Sequence, residues 1–277
     1  MRCAFSSIAW RRERRMAVAA LLREHGAEAV EASPGLFDVP LPALTPERIA
    51  AERAFWEDRE LPLTAMQALL FGRPDLRLFG TAEQRRELAA YLRSVFRVAS
   101  GLGVAALVFG SPKNRLRGAL SEDEAFSDAV MFFREVADDA AAVGCVLCIE
   151  ANAEDYGCDW ITTHAQAAAL VRAVDHPGFG LQLDAGVMQM NGETPEEMEH
   201  VLLSAGVLPA HVHLSRPFLQ PLTMLDERFH TALCSMLRRI GYRGTVSIEM
   251  KAPDGPDPLS VLGQALDTAL AVYGARS

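Results

Sequence analysis

The chain has no excess of positive charge: 27 Lys and Arg stand against 36 Asp and Glu, a formal net charge of -9. Nucleic acids and anionic lipid surfaces are gripped mainly by clustered Lys and Arg, so this balance argues against either as a partner. The one basic run, RRERR at 11–15, reads as the solvated face of a first helix that ends near Glu24. Cysteine is sparse as well. Five residues, at 3, 145, 148, 158 and 234, are too few and too scattered for a disulfide scaffold and point to a reducing, cytoplasmic setting. CVLC at 145–148 has CxxC spacing but no second pair, and it lies inside an apolar run, so it reads as core. No apolar stretch approaches the roughly 18 residues that span a bilayer, and the basic residues near the N-terminus follow its short apolar run, the reverse of a signal peptide. Linkers rich in Gly, Pro and Ser are missing too. The 277 residues, half of them apolar, are therefore expected to form one domain over 1–277 with a substantial core.

What is present is a strand-then-helix unit repeated at roughly 30-residue intervals. Short apolar runs fall at 3–8, 27–32, 62–68, 104–109, 146–150, 179–184, 211–215 and 245–249. Segments with helical periodicity lie between them, at 12–25, 45–58, 82–102, 122–143, 163–174, 194–205, 227–240 and 259–273. Several open on cap signals such as Thr45-Pro46-Glu47 and Thr194-Pro195-Glu196, and several close on glycine, among them Gly103 and Gly206. Eight alternations predict an α/β fold of the (β/α)8 TIM barrel type. The loops 69–80 and 215–226 are long for a barrel, as binding loops often are.

HVHLS, at 211–215, raises a chemical question. Side chains alternate along a strand, so His211, His213 and Ser215 share the face opposite Val212 and Leu214. In a barrel the two faces are lumen and helix layer. The same reading turns Cys148 and Glu150, Gln182 and Asp184, and Ser247 and Glu249 into the lumen. Four successive strands thus end on Glu150, Asp184, His213 and Glu249, at the C-terminal rim where barrel enzymes keep their active sites. Three converging carboxylates without a counter-charge would repel one another, and burying each costs several kcal/mol. One divalent cation resolves the conflict. Three oxygen ligands and one imidazole suit Mn2+ first, then Mg2+, Co2+ or a catalytic Zn2+. His211, one layer deeper, is expected to support a ligand or touch substrate.

SSIAW, VEASPGL, MQALLFG, LVFGSPKNR, IEANAEDYG, LQLDAG, HVHLS and SIEM together resemble the xylose-isomerase-like barrel superfamily over nearly the whole chain. That group includes sugar-phosphate isomerases and epimerases, ketohexose 3-epimerases, inosose dehydratases and endonuclease IV type enzymes. By the resemblance, Glu150 and Glu249 are ligands that also move the proton, one on each face of the sugar, and Asp184 and His213 are ligands. The sugar-recognition shell departs from the ketohexose 3-epimerases: Tyr156 stands six residues after the first ligand where they carry Glu. Val187 stands where they carry His, and Arg216 where they carry Glu. The extra His and Asp ligands of the endonucleases are not found.

Arg216, with Lys113 and Arg115 of GSPKNR, implies a small substrate carrying a phosphate or carboxylate. Gln67, Glu31, Asn152 and Tyr156 are further candidates for substrate contact. The expected activity is a metal-dependent isomerase or epimerase of a small sugar, sugar phosphate or polyol in carbohydrate metabolism. A dehydratase of an inosose-like or keto-acid substrate on the same site is the first alternative, and a metal-free binding barrel the second. A homo-oligomer is compatible with either.

Overall fold

The computed structural model describes residues 1–222 and 227–274. Thr223–Asp226, the end of the long loop expected over 215–226, lies outside the described residues. Eight parallel strands close on themselves in sequence order: β1 (Arg2–Ser6), β2 (Ala29–Ala32), β3 (Leu63–Met66), β4 (Ala106–Phe109), β5 (Val146–Glu150), β6 (Phe179–Asp184), β7 (Pro209–Leu214) and β8 (Thr245–Ile248). β8 returns to β1 through the pairs Arg2 with Thr245 and Phe5 with Ile248. The protein is a (β/α)8 barrel.

Around it, among the described residues, run α1 (Arg15–Glu24), α2 (Pro46–Glu57), α3 (Ala82–Leu102), α4 (Glu122–Ala142), α5 (His164–Val174), α6 (Ala185–Asn191), α7 (Pro195–Ala205), α8 (Glu227–Arg239) and α9 (Pro258–Tyr273). The caps are those the sequence advertises. Thr81, Ser121, Thr163 and Thr194 each form a reciprocal capping box with the Gln or Glu three residues on. Gly103 and Gly206 close α3 and α7 in the left-handed conformation.

Three elements differ from expectation. Residues 12–14 of the first helical segment form a 3-10 turn that leads into α1. β3 stops at Met66, which leaves Gln67 just beyond the strand, its N–H still donated to Ala32 O (2.9 Å). The third is α6, which follows β6 without a loop. Its seven residues are too few for a hydrophobic period to register, and Asp184 starts it by accepting the Val187 N–H at 2.7 Å.

Outward strand residues such as Leu147, Ile149, Val212, Leu214, Val246 and Ile248 are buried in one large core beneath the helices. Inside the barrel Ala65, Ala106 and Cys148 form a small apolar plug, packed by Val146 and Ala210. The five cysteines are free and buried. Burial pushes the Cys148 thiol up to about 12, as befits a core residue. Above the plug the lumen turns polar.

Candidate metal centre and active site

The strand register delivers four side chains to one place. Asp184 pairs with His213, and Glu150 with Gln182, so the ends of β5, β6 and β7 lie side by side. Glu249, one residue past β8, keeps the ladder through its N–H to Leu214 O (3.0 Å). His213 Nδ1 then lies 3.2 Å from a Glu150 oxygen, 3.3 Å from Glu249 and 3.8 Å from Asp184. One donor atom from each of the four can be chosen so that all lie within 4.8 Å of one another. That spacing fits ligands at about 2 Å around a single ion.

Each acid is held by its surroundings. Asp184 accepts Val187 N–H through one oxygen and the Ser215 hydroxyl (2.8 Å) through the other. Ser215 Oγ in turn accepts Gly186 N–H at 2.8 Å. A β-carbon on Gly186 would come within 2.7 Å of that hydroxyl, so α6 can approach β7 only on a glycine. Glu150 accepts from Asn152 Nδ2 at 3.3 Å. Gly110 faces it across the rim, where a β-carbon would sit 1.8 Å from Glu150 Oε2. His164 Nε2 accepts the Asp184 backbone N–H (3.0 Å), while its Nδ1 lies 2.5 Å from Glu193.

Below the four lies a charged layer the sequence did not delineate. Glu31 of β2 is fully buried, and its Oε1 lies 3.0 Å from His213 Nε2 and 3.2 Å from His211 Nε2. Its other oxygen accepts from Gln67 Nε2 at 3.2 Å, and Gln67 also donates to Ser6 Oγ at 2.6 Å. An ionised carboxylate only accepts, so His213 carries a proton on Nε2 and turns Nδ1 toward the three acids.

The electrostatics match a site built for a cation. Burial raises the pKa of Asp184, and Glu150 beside it adds to the rise. Burial likewise pushes Glu249 up to about 7, against the pull of His213. For His213, burial alone would lower the value, but Glu31 and Glu249 on its two sides carry it well above the usual imidazole value. Burial also opposes ionisation of Glu31, yet His213 and His211 hold it well below the usual carboxylate range. In the metal-free protein an imidazolium thus supplies the missing positive charge. A divalent ion could take over that role, with Nδ1 as a neutral donor.

A cavity of about 310 Å3 opens above the cluster, bordered by Glu150, Asp184 and Glu249 together with Gln67, Asn152 and Tyr156. Tyr156 Oη accepts the Phe218 N–H (2.8 Å), which ties the loop after β7 to the loop after β5. Glu31 and His211 do not border the cavity; they lie beneath its floor. The three bases expected to meet an anionic group do not border it either. Arg115 is fully buried, donating to Phe109 O (3.2 Å) and Cys158 Sγ (3.7 Å), and Lys113 is exposed on its loop. The Arg216 guanidinium donates to Pro221 O at 3.2 Å. Gly110, the His164–Glu193 pair and the capping role of Asp184 left no strand-like signal in the sequence. Ser215 did, through the alternation of HVHLS.

The family model for xylose isomerase-like TIM barrels matches residues 19–270, and the chain belongs to that family. Among solved structures, D-psicose 3-epimerase from Clostridium cellulolyticum H10 superposes with a TM-score of 0.81 at 17% identity, over 99% of this chain and 100% of that one. The 3-keto-D-glucoside 4-epimerase from E. coli gives 0.78 at 19% identity, over 98% and 99%. IOLI protein, crystallised with a bound zinc atom, gives 0.68 at 18%, over 99% and 98%. Identities this low establish the shared fold. No curated protein matches the sequence.

Proposed function

We propose that the protein is a divalent-metal-dependent isomerase or epimerase of a small sugar or polyol derivative, acting by proton transfer next to a carbonyl. The observation that carries the reading is the convergence of Glu150, Asp184, His213 and Glu249 on one point at the floor of a cavity. The four would hold the ion, with Mn2+ the best match to three oxygens and one imidazole nitrogen. When bound, it supplies Lewis-acid polarisation of the carbonyl and its neighbouring hydroxyl.

Glu150 and Glu249 both border the cavity and come from β5 and the end of β8, on opposite edges of the ligand arc. A carbon held between them offers one face to each. One carboxylate takes the proton from the substrate C–H, and the other carboxyl gives a proton back on the opposite face, inverting the centre. Asn152 steadies Glu150 through its amide, and Ser215 with the Val187 N–H fixes Asp184. Tyr156 closes one side of the space. The folds of the epimerases that superpose support the reading, as do a net charge of -9 and a cavity without basic lining among the described residues, which disfavour a nucleic-acid substrate. Five free, buried cysteines agree with a cytoplasmic setting. Among the described residues no helix is long and apolar enough to cross a membrane.

The test is solvent exchange. Protein loaded with Mn2+ is incubated with free and substituted ketoses and inososes in deuterium oxide, and products are followed by NMR and mass spectrometry. An intact carbon skeleton carrying one deuterium at the carbon beside the carbonyl is the expected result. Release of water with an unsaturated or keto product would make the protein a dehydratase. No bound metal and no exchange would leave a binding barrel.

A further inference from the structure

The cavity has two chemically different sides. Toward the strand ends it presents three carboxylates with the Gln67 and Asn152 amides, whereas toward the rim it presents mainly Ala68, Phe71, Pro112, Val187 and Leu219, with the hydroxyls of Ser111 and Tyr156 beside them. Among the described residues no Lys or Arg borders it. A free ketohexose carries oxygen on every carbon, so whichever end met the rim would bring its hydroxyls mostly against apolar side chains, with Ser111 and Tyr156 the hydroxyls available there among the described residues. Each hydroxyl stripped of water there costs on the order of ten- to a hundredfold in affinity. An anionic end at the rim fares worse, with no Lys or Arg among the described lining residues to receive it.

The rim is held in place at some conformational expense. Ala68, Phe218 and Leu219 all occupy the left-handed region, with φ of 55°, 60° and 57°. That region is disfavoured for residues with a β-carbon and persists only where surrounding contacts enforce it, often at ligand clamps. The contacts are present. Phe218 N–H is donated to Tyr156 Oη (2.8 Å), Lys251 N–H to Leu219 O (2.9 Å) and Phe71 N–H to Ala68 O (3.0 Å). Both strained turns therefore serve to place an apolar side chain at the cavity. Phe71 stands there 82% exposed, a phenyl ring offered to water at the rim of a polar site.

We infer that the substrate is an uncharged polyol ketone bearing an apolar substituent, such as an alkyl or aryl ether or glycoside, at the end remote from the reacting carbon. The polyol end faces Glu150, Glu249, Gln67 and Asn152, and the substituent lies against Phe71, Val187 and Leu219. This rests on the proton-transfer reading above and narrows its substrate class.

The experiment compares fructose, fructose 6-phosphate, 6-deoxyfructose and 6-O-benzylfructose as probes of the protein loaded with Mn2+, by deuterium exchange and by calorimetric binding. The expected order is benzyl ether, then deoxy sugar, then fructose, then phosphate, with the benzyl ether at least tenfold above fructose in kcat/KM or in affinity. Phe71→Ser and Leu219→Asn should each narrow that ratio at least threefold. Exchange in which fructose or its phosphate equals or exceeds the benzyl ether would overturn the inference and leave proton transfer standing. If nothing exchanges, proton transfer itself fails for these probes and calorimetry decides the rim: tighter benzyl-ether binding supports the apolar wall, while equal or weaker binding overturns it.

Discussion

Glu31→Gln removes one negative charge from beneath the candidate metal centre and changes almost no volume. In the native protein the carboxylate faces His213 Nε2 at 3.0 Å and His211 Nε2 at 3.2 Å, and accepts Gln67 Nε2 at 3.2 Å. The amide oxygen can still accept one imidazole proton. Its NH2 group, however, must then face donors of Gln67 or of a histidine, with no water to absorb the mismatch, because Glu31 is fully buried. One orphaned buried donor costs about 1–3 kcal/mol, and breaking a buried ion pair by removing one partner costs about 3–5 kcal/mol. Destabilisation of the metal-free protein by about 3 kcal/mol is therefore expected from urea unfolding. The second effect is specific to the metal. With its Nε2 proton no longer pinned, His213 samples the tautomer that points N–H at the acids, and Mn2+ affinity should fall about 10- to 100-fold, the usual effect of removing such a carboxylate. Calorimetric titration with Mn2+ measures the loss, and nitrogen-15 chemical shifts of His213 in protein loaded with diamagnetic Mg2+ or Zn2+ report the tautomer. A variant that binds Mn2+ within twofold of wild type and keeps His213 protonated on Nε2 would refute the reasoning, whatever its stability.

Other consequences can be checked as directly. Glu249 holds its proton up to about 7 in the folded metal-free state, against 4.5 ordinarily, so its contribution to stability is complete below about pH 4.5 and is lost as pH rises through 7. His213, also raised, loses its contribution in the same direction, while Glu31, held low, loses its own only as pH falls below the usual carboxylate range. Metal-free protein should thus melt higher at pH 5.5 than at pH 8, with Glu249 alone responsible for about 2 kcal/mol, and saturating Mn2+ should reverse the trend; calorimetric melting that shows no fall toward pH 8 contradicts this. At pH 8 Glu249→Gln should stabilise the metal-free protein by about 1–2 kcal/mol while weakening Mn2+ binding, since it removes a carboxylate whose ionisation burial opposes more strongly than His213 favours it. Gly110→Ala puts a β-carbon 1.8 Å from Glu150 Oε2, and must push that carboxylate aside: Mn2+ affinity should drop at least about tenfold with circular dichroism unchanged. Cys148, buried with its thiol raised to about 12, should resist alkylation by iodoacetamide in the native state and react only on unfolding.

Local pattern along the chain was enough to give the repeating architecture and to pick out the four strand-end residues. Both rest on local periodicity: a two-residue alternation says which side chains enter a barrel lumen, and caps and glycines say where each helix starts and stops. Its weaker points were local as well, since α6 was too short to show a period and Gln67 lay beyond the strand assigned to it. Alternation gives a side chain's face but not its depth or its partner across the lumen. Closure of the barrel decided those. It brought Glu31 of β2 to His213 of β7, 182 residues away, and converted an expected substrate contact into the acid beneath a candidate ligand. Arg115 likewise looked like a base poised for an anion until packing turned it inward to Phe109 O and Cys158 Sγ. Face is a property of neighbouring residues along the chain. Convergence on a point in the lumen depends on strands that meet only when the eighth pairs with the first, so no local pattern can supply it.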